Sequence, residues 1–326
     1  MKLYILKTHD PYYNLALEEY LFSETDDDIF MLWQNEPCVV IGKNQNAYAE
    51  VKIDKAKENG IKIVRRITGG GAVYHDLGNV NYTFISSRRA KGGIDFAYFT
   101  EPIIEALASV GVAAELSGRN DLLAEGKKFS GNAQHSSGTR TLHHGTLLYN
   151  SDLSVLSSVL NVDEEKIRSK GIKSTRSRVI NLSELVADRT DVDGFIELVA
   201  RFVEAKYGIQ RSEPPQDERV SKLCERNASA EWIFPERELV SRYSVRKKHR
   251  YDFGIVDIYL DMSNDIIKDV KISGDFFGQK PLAELESRLV GLKCDTVFET
   301  VSKIELGEYI FGMTASVFAE QILEKI

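Results

Sequence analysis

The chain has 326 residues, enough for two domains and for a full core without metal or disulfide staples, and its 43% hydrophobic and 28% charged content is that of a globular protein. Lys and Arg number 42 and Asp and Glu 49, a formal charge of −7, which argues against the basic footprint of a general nucleic-acid binder. Three widely separated cysteines, Cys38, Cys224 and Cys294, exclude a CxxC zinc site or a disulfide framework, and no apolar run approaches the ~20 residues that cross a bilayer, so a cytoplasmic protein with no membrane partner is expected.

In chain order, Asp10 and Pro11 predict a capped helix over YYNLALEEYLF, with Asp10 as N-cap, Pro11 as first helical residue and Leu17, Tyr20 and Leu21 on one face. Three strand-length runs follow: IFML from Ile29, CVVI over Cys38–Ile41 and IKIV over 61–64. Residues 79–85, NVNYTFI, alternate, with Val80, Tyr82 and Phe84 on one side and Asn81 and Thr83 on the other, as in a half-buried strand. Phe96, Phe99, Ile103 and Leu107 recur at helical spacing and predict a helix over 95–110, stopped by Gly111. Further strands are expected at 121–124, 127–131 and 146–149, and helices near 153–160 and 194–207.

The polar stretch RSEPPQDERVSKLCERNASAEW, with Pro214 and Pro215, reads as the approach to a domain boundary. Beyond it, YDFGIVDIYLD, a turn at MSND and IIKDVKISG read as a β-hairpin, and two or three short helices close the chain. The expected fold class is α+β: a mixed-sheet α/β domain over 1–240 and a small α+β domain over 247–326, with no internal repeat.

Chemistry concentrates in four segments. In RRITGGGAVYHDLGNVN, residues 65–81, a strand delivers two arginines and then three glycines before a second strand. Glycines let backbone approach a ligand, and successive N–H groups in such a turn form an anion nest, to which Arg66 can add a bidentate clamp on phosphate or carboxylate. Three isolated glycines fit a plain hairpin equally well; RR before them and HDLGN after them favour a site. No GK[ST] follows, so this is not a Walker A loop, and no helix opens on a GxGxxG.

In GRNDLLAEGKKFSGNA, residues 118–133, a lysine followed by small residues can reach a phosphate, and Asp121 can hold Mg²⁺ alongside substrate phosphates. Lys127 and Lys128 point to opposite faces of a strand, so at most one of them faces the site. In HHGTLLY, His143 and His144 also diverge, no third metal ligand is evident, and a packing or orienting role for His144 is favoured over substrate contact. The basic, Ser-rich KGIKSTRSRVINL, residues 170–182, reads either as a solvated loop or as a cover contacting phosphate or an acidic partner. The basic RKKHR at 246–250 reads as a weaker signal near the inter-domain hinge.

Taken in order and spacing, RRITGGGAVYHDLGNVNYTF, GRNDLL, GKKFSGNA, HHGTLL and KGIKSTRSRV resemble the lipoate–protein ligase A family, as do DPYYNLALEEYLF and VVIGKNQNAYAEV upstream and ISGDFFGQKPLAELESRLVG downstream. The resemblance implies a catalytic domain like that of biotin protein ligases, with a mixed β-sheet flanked by helices, plus an accessory domain. It implies two half-reactions: lipoate and Mg-ATP give lipoyl-AMP and pyrophosphate, and a lysine of an acceptor then takes the lipoyl group as an amide.

Carried over residue by residue, Lys128 is implied as catalytic, touching both the lipoate carboxyl and the α-phosphate. Arg66, Gly70, Gly71, Ala72, Val73, Tyr74 and Asn79 are implied, with Lys128, in binding ATP and lipoyl-AMP. Arg66, His75, Lys128 and His144 are implied for lipoate, and Asp121 for Mg²⁺. The implied acceptors are lipoyl domains of 2-oxoacid dehydrogenase E2 subunits and H-type proteins of glycine cleavage, with no nucleic acid, and a monomer suffices.

One departure concerns the family's W-x-W-N-[FY]-G element, which is reduced here to ASAEWIFPERELVSRYS with only Trp232 recognisable. The nearest alternatives are an octanoyl or lipoyl transferase working through a cysteine thioester and a non-catalytic lipoyl-binding module. Cys38 lies in an apolar run and reads as core, and the other two cysteines lie outside the motifs, so none has the setting of a nucleophile. A biotin ligase is disfavoured because a GRGRxG-type loop is missing.

Overall fold

The computed structural model describes residues 1–87, 94–161, 178–187, 190–235 and 239–324. Its principal sheet runs β11-β1-β2-β6-β10-β9-β8-β7, built from β1 (Lys2–Ile5), β2 (Ile29–Trp33), β6 (Asn79–Ser86), β7 (Ala114–Ser117), β8 (Asp121–Ala124), β9 (Lys127–Ser137), β10 (Arg140–Leu148) and β11 (Gln210–Arg211). The β11–β1 and β1–β2 pairs are parallel and the rest antiparallel. A second sheet, β4-β3-β5, joins β3 (Cys38–Ile41), β4 (Lys62–Arg65) and β5 (Val73–His75). The sheet is therefore mixed, as expected, but divided in two.

Helix α1 (Pro11–Glu24) starts where Asp10 accepts from the Tyr12 N–H and Pro11 enters the first turn. It packs Leu17 and Leu21 into a core shared with Met31, Trp33, Cys38 and Val64, between the two sheets. The opposite face of the large sheet is covered by α2 (Phe96–Ala108) and α3 (Val192–Tyr207), whose Phe99, Ile103, Phe195 and Val199 meet Phe30, Tyr82 and Phe84. Both helices have aspartate N-caps, Asp95 and Asp191.

The segment expected as the approach to a boundary folds otherwise. Glu218–Ala228 is a helix, α4, capped by Asp217 and packed along α1 through Val220, Leu223 and Cys224. Its apolar positions sit three and four apart, a helical signal diluted by charge on the other faces. The basic RKKHR lies in β12 (Val245–Tyr251), the first strand of a third sheet with β13 (Gly254–Ser263) and β14 (Ile266–Gly274). Alternation separates its charges. Arg246 forks onto Asp257, while Lys247 is buried and donates to the carbonyls of Ile322 and Glu324. This sheet, with α5 (Leu282–Leu289) and α6 (Ala315–Leu323), encloses its own core around Ile258, Val270, Phe276 and Phe318.

Candidate active site

The two sheets and the tip of the third meet at a cavity of about 380 Å³. Its apolar lining comes from Leu15 of α1, Trp33 of β2 and Val40 of β3. Its polar lining comes from Arg66, Gly70, Gly71, Arg119, Asp121, Lys128 and Asp275. His75, Asn81, His144 and Thr146 complete the wall.

The two arginines after β4 part company. Arg65 is 3% exposed and donates to the carbonyls of Gly42, Lys43 and Gln45 on one segment and of Trp232 and Ile233 on another. The Trp232 indole returns a hydrogen bond to the Arg65 carbonyl, and Arg226 stacks on its ring at 4.0 Å. The single tryptophan left of the altered element thus anchors the chain beneath the site.

Arg66 faces the cavity, but as a strut. Its Nη2 donates to Gly69 O at 2.7 Å and Gly71 O at 2.8 Å, its Nη1 to Val40 O and its Nε to Thr68 Oγ1. The bidentate clamp on a ligand expected from the sequence is not what this geometry provides, because both Nη2 hydrogens already hold the glycine turn. Burial pushes the guanidinium down to about 10, which still leaves it charged at neutral pH. Gly70 sits at φ +91°, a conformation only glycine adopts without strain. The result is a turn whose carbonyls are drawn back onto a buried cation.

Lys128 reaches the cavity because of a bulge. Leu122 pairs with Ser130 and Leu123 with Lys128, so Phe129 is the extra residue and is fully buried. Lys127 is exposed and Lys128 lines the cavity, its ammonium 2.7 Å from Asp121 Oδ1. Gly131 allows this approach: a Cβ there would lie 3.1 Å from the Lys128 Nζ. Lys128 and Asp121 are 38% and 39% exposed, so their pairing is weak enough for a phosphate to replace. Main-chain bonds from Lys128 N to Arg178 O and from Ile180 N to Lys128 O tie this strand to the segment after residue 177. The rest of the expected basic cover, 170–177, lies outside the described residues.

The histidine pair splits as alternation demands. His143 is in the core, stacked on Phe99 at 5.2 Å. His144 lines the cavity, its Nδ1 2.9 Å from Glu18 Oε1 and its Nε2 2.9 Å from Thr68 Oγ1. Glu18, 1% exposed, also accepts from Thr83, which accepts from the Trp33 indole.

Of the expected site residues, Arg66, Gly70, Gly71, Ala72, Val73, His75, Asp121, Lys128 and His144 come together on this wall. Tyr74 and Asn79 do not line it. Tyr74 turns the other way, into the cluster of Val39, Ile41 and Val159, because it alternates with Val73 and His75. Asn79 is buried behind Asn81, to whose Oδ1 it donates at 2.9 Å.

Sequence reasoning missed Glu18, Thr68, Arg119 and Asp275. An acid on the apolar side of α1 was the one available signal for Glu18. Arg119 and Asp275 meet only through folding: Arg119 lies over the Phe277 ring at 4.7 Å and donates to the Phe253 and Asp275 carbonyls. Among the described residues no group of three or more His, Cys, Asp or Glu is placed to hold a metal unaided. The cavity does offer Asp121 and Asp275, and Mg²⁺ carried by substrate phosphates needs one or two carboxylates.

Residues 10–204 match the family described as lipoyl protein ligase A/B catalytic domain, and residues 241–322 match the bacterial lipoate protein ligase C-terminus. A lipoate-protein ligase of Bacillus subtilis is 37% identical over 96% of this chain and 97% of its own. The crystal structure of P. falciparum LipL1 in complex with lipoate superposes with a TM-score of 0.83 at 25% identity, covering 99% of each chain. A lipoate-protein ligase A structure bound with ATP gives a TM-score of 0.60 at 28% identity, over 72% of this chain and 98% of that one.

Proposed function

Since the chain belongs to the lipoyl protein ligase A/B family and is an ATP-dependent lipoate–protein ligase, we propose that its chemistry runs at the cavity between Lys128, the Gly70–Gly71 turn and Trp33. The observation that carries this reading is one continuous cavity, apolar at Leu15, Trp33 and Val40 and cationic at Lys128 and Arg119. That polarity matches an acid with a hydrophobic tail.

A lipoate carboxylate oxygen attacks the α-phosphorus of ATP. The α–β phosphoanhydride bond breaks and pyrophosphate leaves. Lys128 touches both the carboxylate and the α-phosphate, so its charge stabilises the one site where negative charge accumulates. Arg66 holds the glycine turn open and adds a buried positive field behind it. Ala72 and Val73 continue the wall under the nucleotide. Mg²⁺ would be held by Asp121, with Asp275 available beside it, and would offset phosphate charge. The acceptor lysine then attacks the acyl carbon, AMP leaves, and the amine proton goes to solvent.

The acceptors in this reading are lipoyl domains of E2 subunits or H-type proteins, met in the cytoplasm by a monomeric enzyme with a catalytic domain over 1–240 and an accessory domain over 247–326. Among the described residues no helix is long and apolar enough to cross a membrane. Incubation with ATP, Mg²⁺ and lipoate against a panel of lipoyl domains and H-type proteins, read by intact mass, tests the reading. One acceptor should gain a single lipoyl group; no gain on any acceptor, with no pyrophosphate released, sinks it.

A thioester relay has no support in the geometry. Cys38 is fully buried, and burial pushes its thiol well up. Burial also raises Cys224, which packs between α1 and α4. A variant with Cys38→Ala, Cys224→Ser and Cys294→Ser should still ligate lipoate in the same assay. A folded variant that releases pyrophosphate but cannot transfer would restore the relay.

A further inference from the structure

His75 sits on the cavity wall with its ring 4% exposed and edge-on to Trp33, the centroids 6.3 Å apart. Its Nδ1 is 3.1 Å from Asn35 Nδ2, and its Nε2 has no partner among the described residues. Which nitrogen carries the proton follows from a chain of amides that ends on main-chain carbonyls. Asn14 Nδ2 lies 2.8 Å from Gln34 O and 3.1 Å from Thr8 O. A carbonyl oxygen only accepts, so the nitrogen end of Asn14 must face these two.

The same nitrogen lies 3.0 Å from Asn35 Oδ1, its two hydrogens shared over three acceptors. Reversing Asn35 would set two NH₂ groups against each other, so Asn35 keeps its oxygen toward Asn14 and its NH₂ toward His75. Nδ1 therefore accepts, and the proton stands on Nε2. All three residues are buried, with Asn14 and Asn35 fully so.

We propose that Asn14 and Asn35 are positioning residues that hold His75 as the Nε2–H tautomer, so that the imidazole donates into the cavity to the bound acid. An isolated buried donor is costly, and on a cavity wall a bound ligand can supply its acceptor. Burial, with the neighbouring Arg66 and His144 charges, pushes the His75 imidazolium down to about 3. The ring thus stays neutral through the physiological range. A neutral donor near Arg66 orients the bound acid without adding a second fixed charge.

This inference rests on the ligase reading and deepens it. Two measurements separate them. In full-length protein labelled with ¹⁵N-histidine, two-bond ¹H–¹⁵N spectra should show His75 as the Nε2–H tautomer between about pH 6 and 8. Asn35→Asp presents a carboxylate to Nδ1 and should move the proton there, turning Nε2 into an acceptor. In that variant the lipoate KM in pyrophosphate release should rise about tenfold or more, with the ATP KM changed much less.

His75→Gln, which keeps a donor at the Nε2 position, should retain more lipoate affinity than His75→Leu, and covers the case of a misfolded Asn35→Asp. An Nδ1–H tautomer in the unaltered protein overturns the proposal. So does an Asn35→Asp variant that reverses the tautomer and leaves the lipoate KM unchanged, or equal loss in His75→Gln and His75→Leu. Lack of pyrophosphate release by the unaltered protein removes the ligase reading instead, while the tautomer remains readable.

Discussion

Lys128→Ala abolishes lipoate-dependent pyrophosphate release and leaves the protein folded. The ammonium belongs to the one lysine that lines the cavity among the described residues. Removing one preorganised donor to developing charge typically costs about 10²–10³ in rate. Stability should barely change. Among the described residues the ammonium pairs with Asp121, and a pair more than a third exposed contributes at most ~1 kcal/mol. Pyrophosphate release and thermal unfolding of the same preparation decide the matter. Release near the normal rate would remove Lys128 from the chemistry; a collapsed melting point would assign it a structural role instead.

Arg65→Met is expected to have the opposite profile, a protein that loses stability first and activity as a consequence. Arg65 collects five carbonyls from two chain segments far apart in sequence. Methionine fills much of the volume and supplies no donor. Three of those carbonyls, on Gly42, Gln45 and Ile233, accept in fully buried bonds. At about 1–3 kcal/mol for each stranded group, a loss of at least ~3 kcal/mol follows, or roughly 10 °C in Tm for a domain of this size. Arg65→Lys should recover little, because one ammonium cannot serve carbonyls on both segments. The measurement is thermal unfolding, with pyrophosphate release assayed well below the transition. A melting point within about 2 °C of the unaltered protein would mean that water replaces the guanidinium.

The neighbouring arginines show where sequence reading stops. RR before GGG pointed to this turn, and Arg66, Gly70 and Gly71 all lie on the cavity wall. The division of labour depends on which carbonyls come within reach: those that Arg65 holds lie 20 to 168 residues away, whereas Arg66 holds Gly69 and Gly71 of the adjoining turn. The same limit hid Asp275 and Arg119, whose segments meet only when the third sheet docks beside Gly70. Charge dilution hid α4, since Val220, Leu223 and Cys224 supply its apolar packing on α1 amid charged neighbours.

Periodicity and caps alone determined β2, β3, β6, β8 and the β13–β14 hairpin, the helices starting at Asp10 and Asp95, the outward turn of one lysine and the divergence of His143 from His144. These are local properties: a strand alternates and a helix start needs a side-chain acceptor, whatever the rest of the chain does. Motif order alone determined the family and the activity. Only the tertiary structure decided which face of each strand looks into the cavity, that Glu18 stands behind His144, and that two asparagines set the proton of His75. Those outcomes depend on hydrogen-bond acceptors brought together over long sequence separations, and no local pattern encodes which acceptor a buried donor will meet.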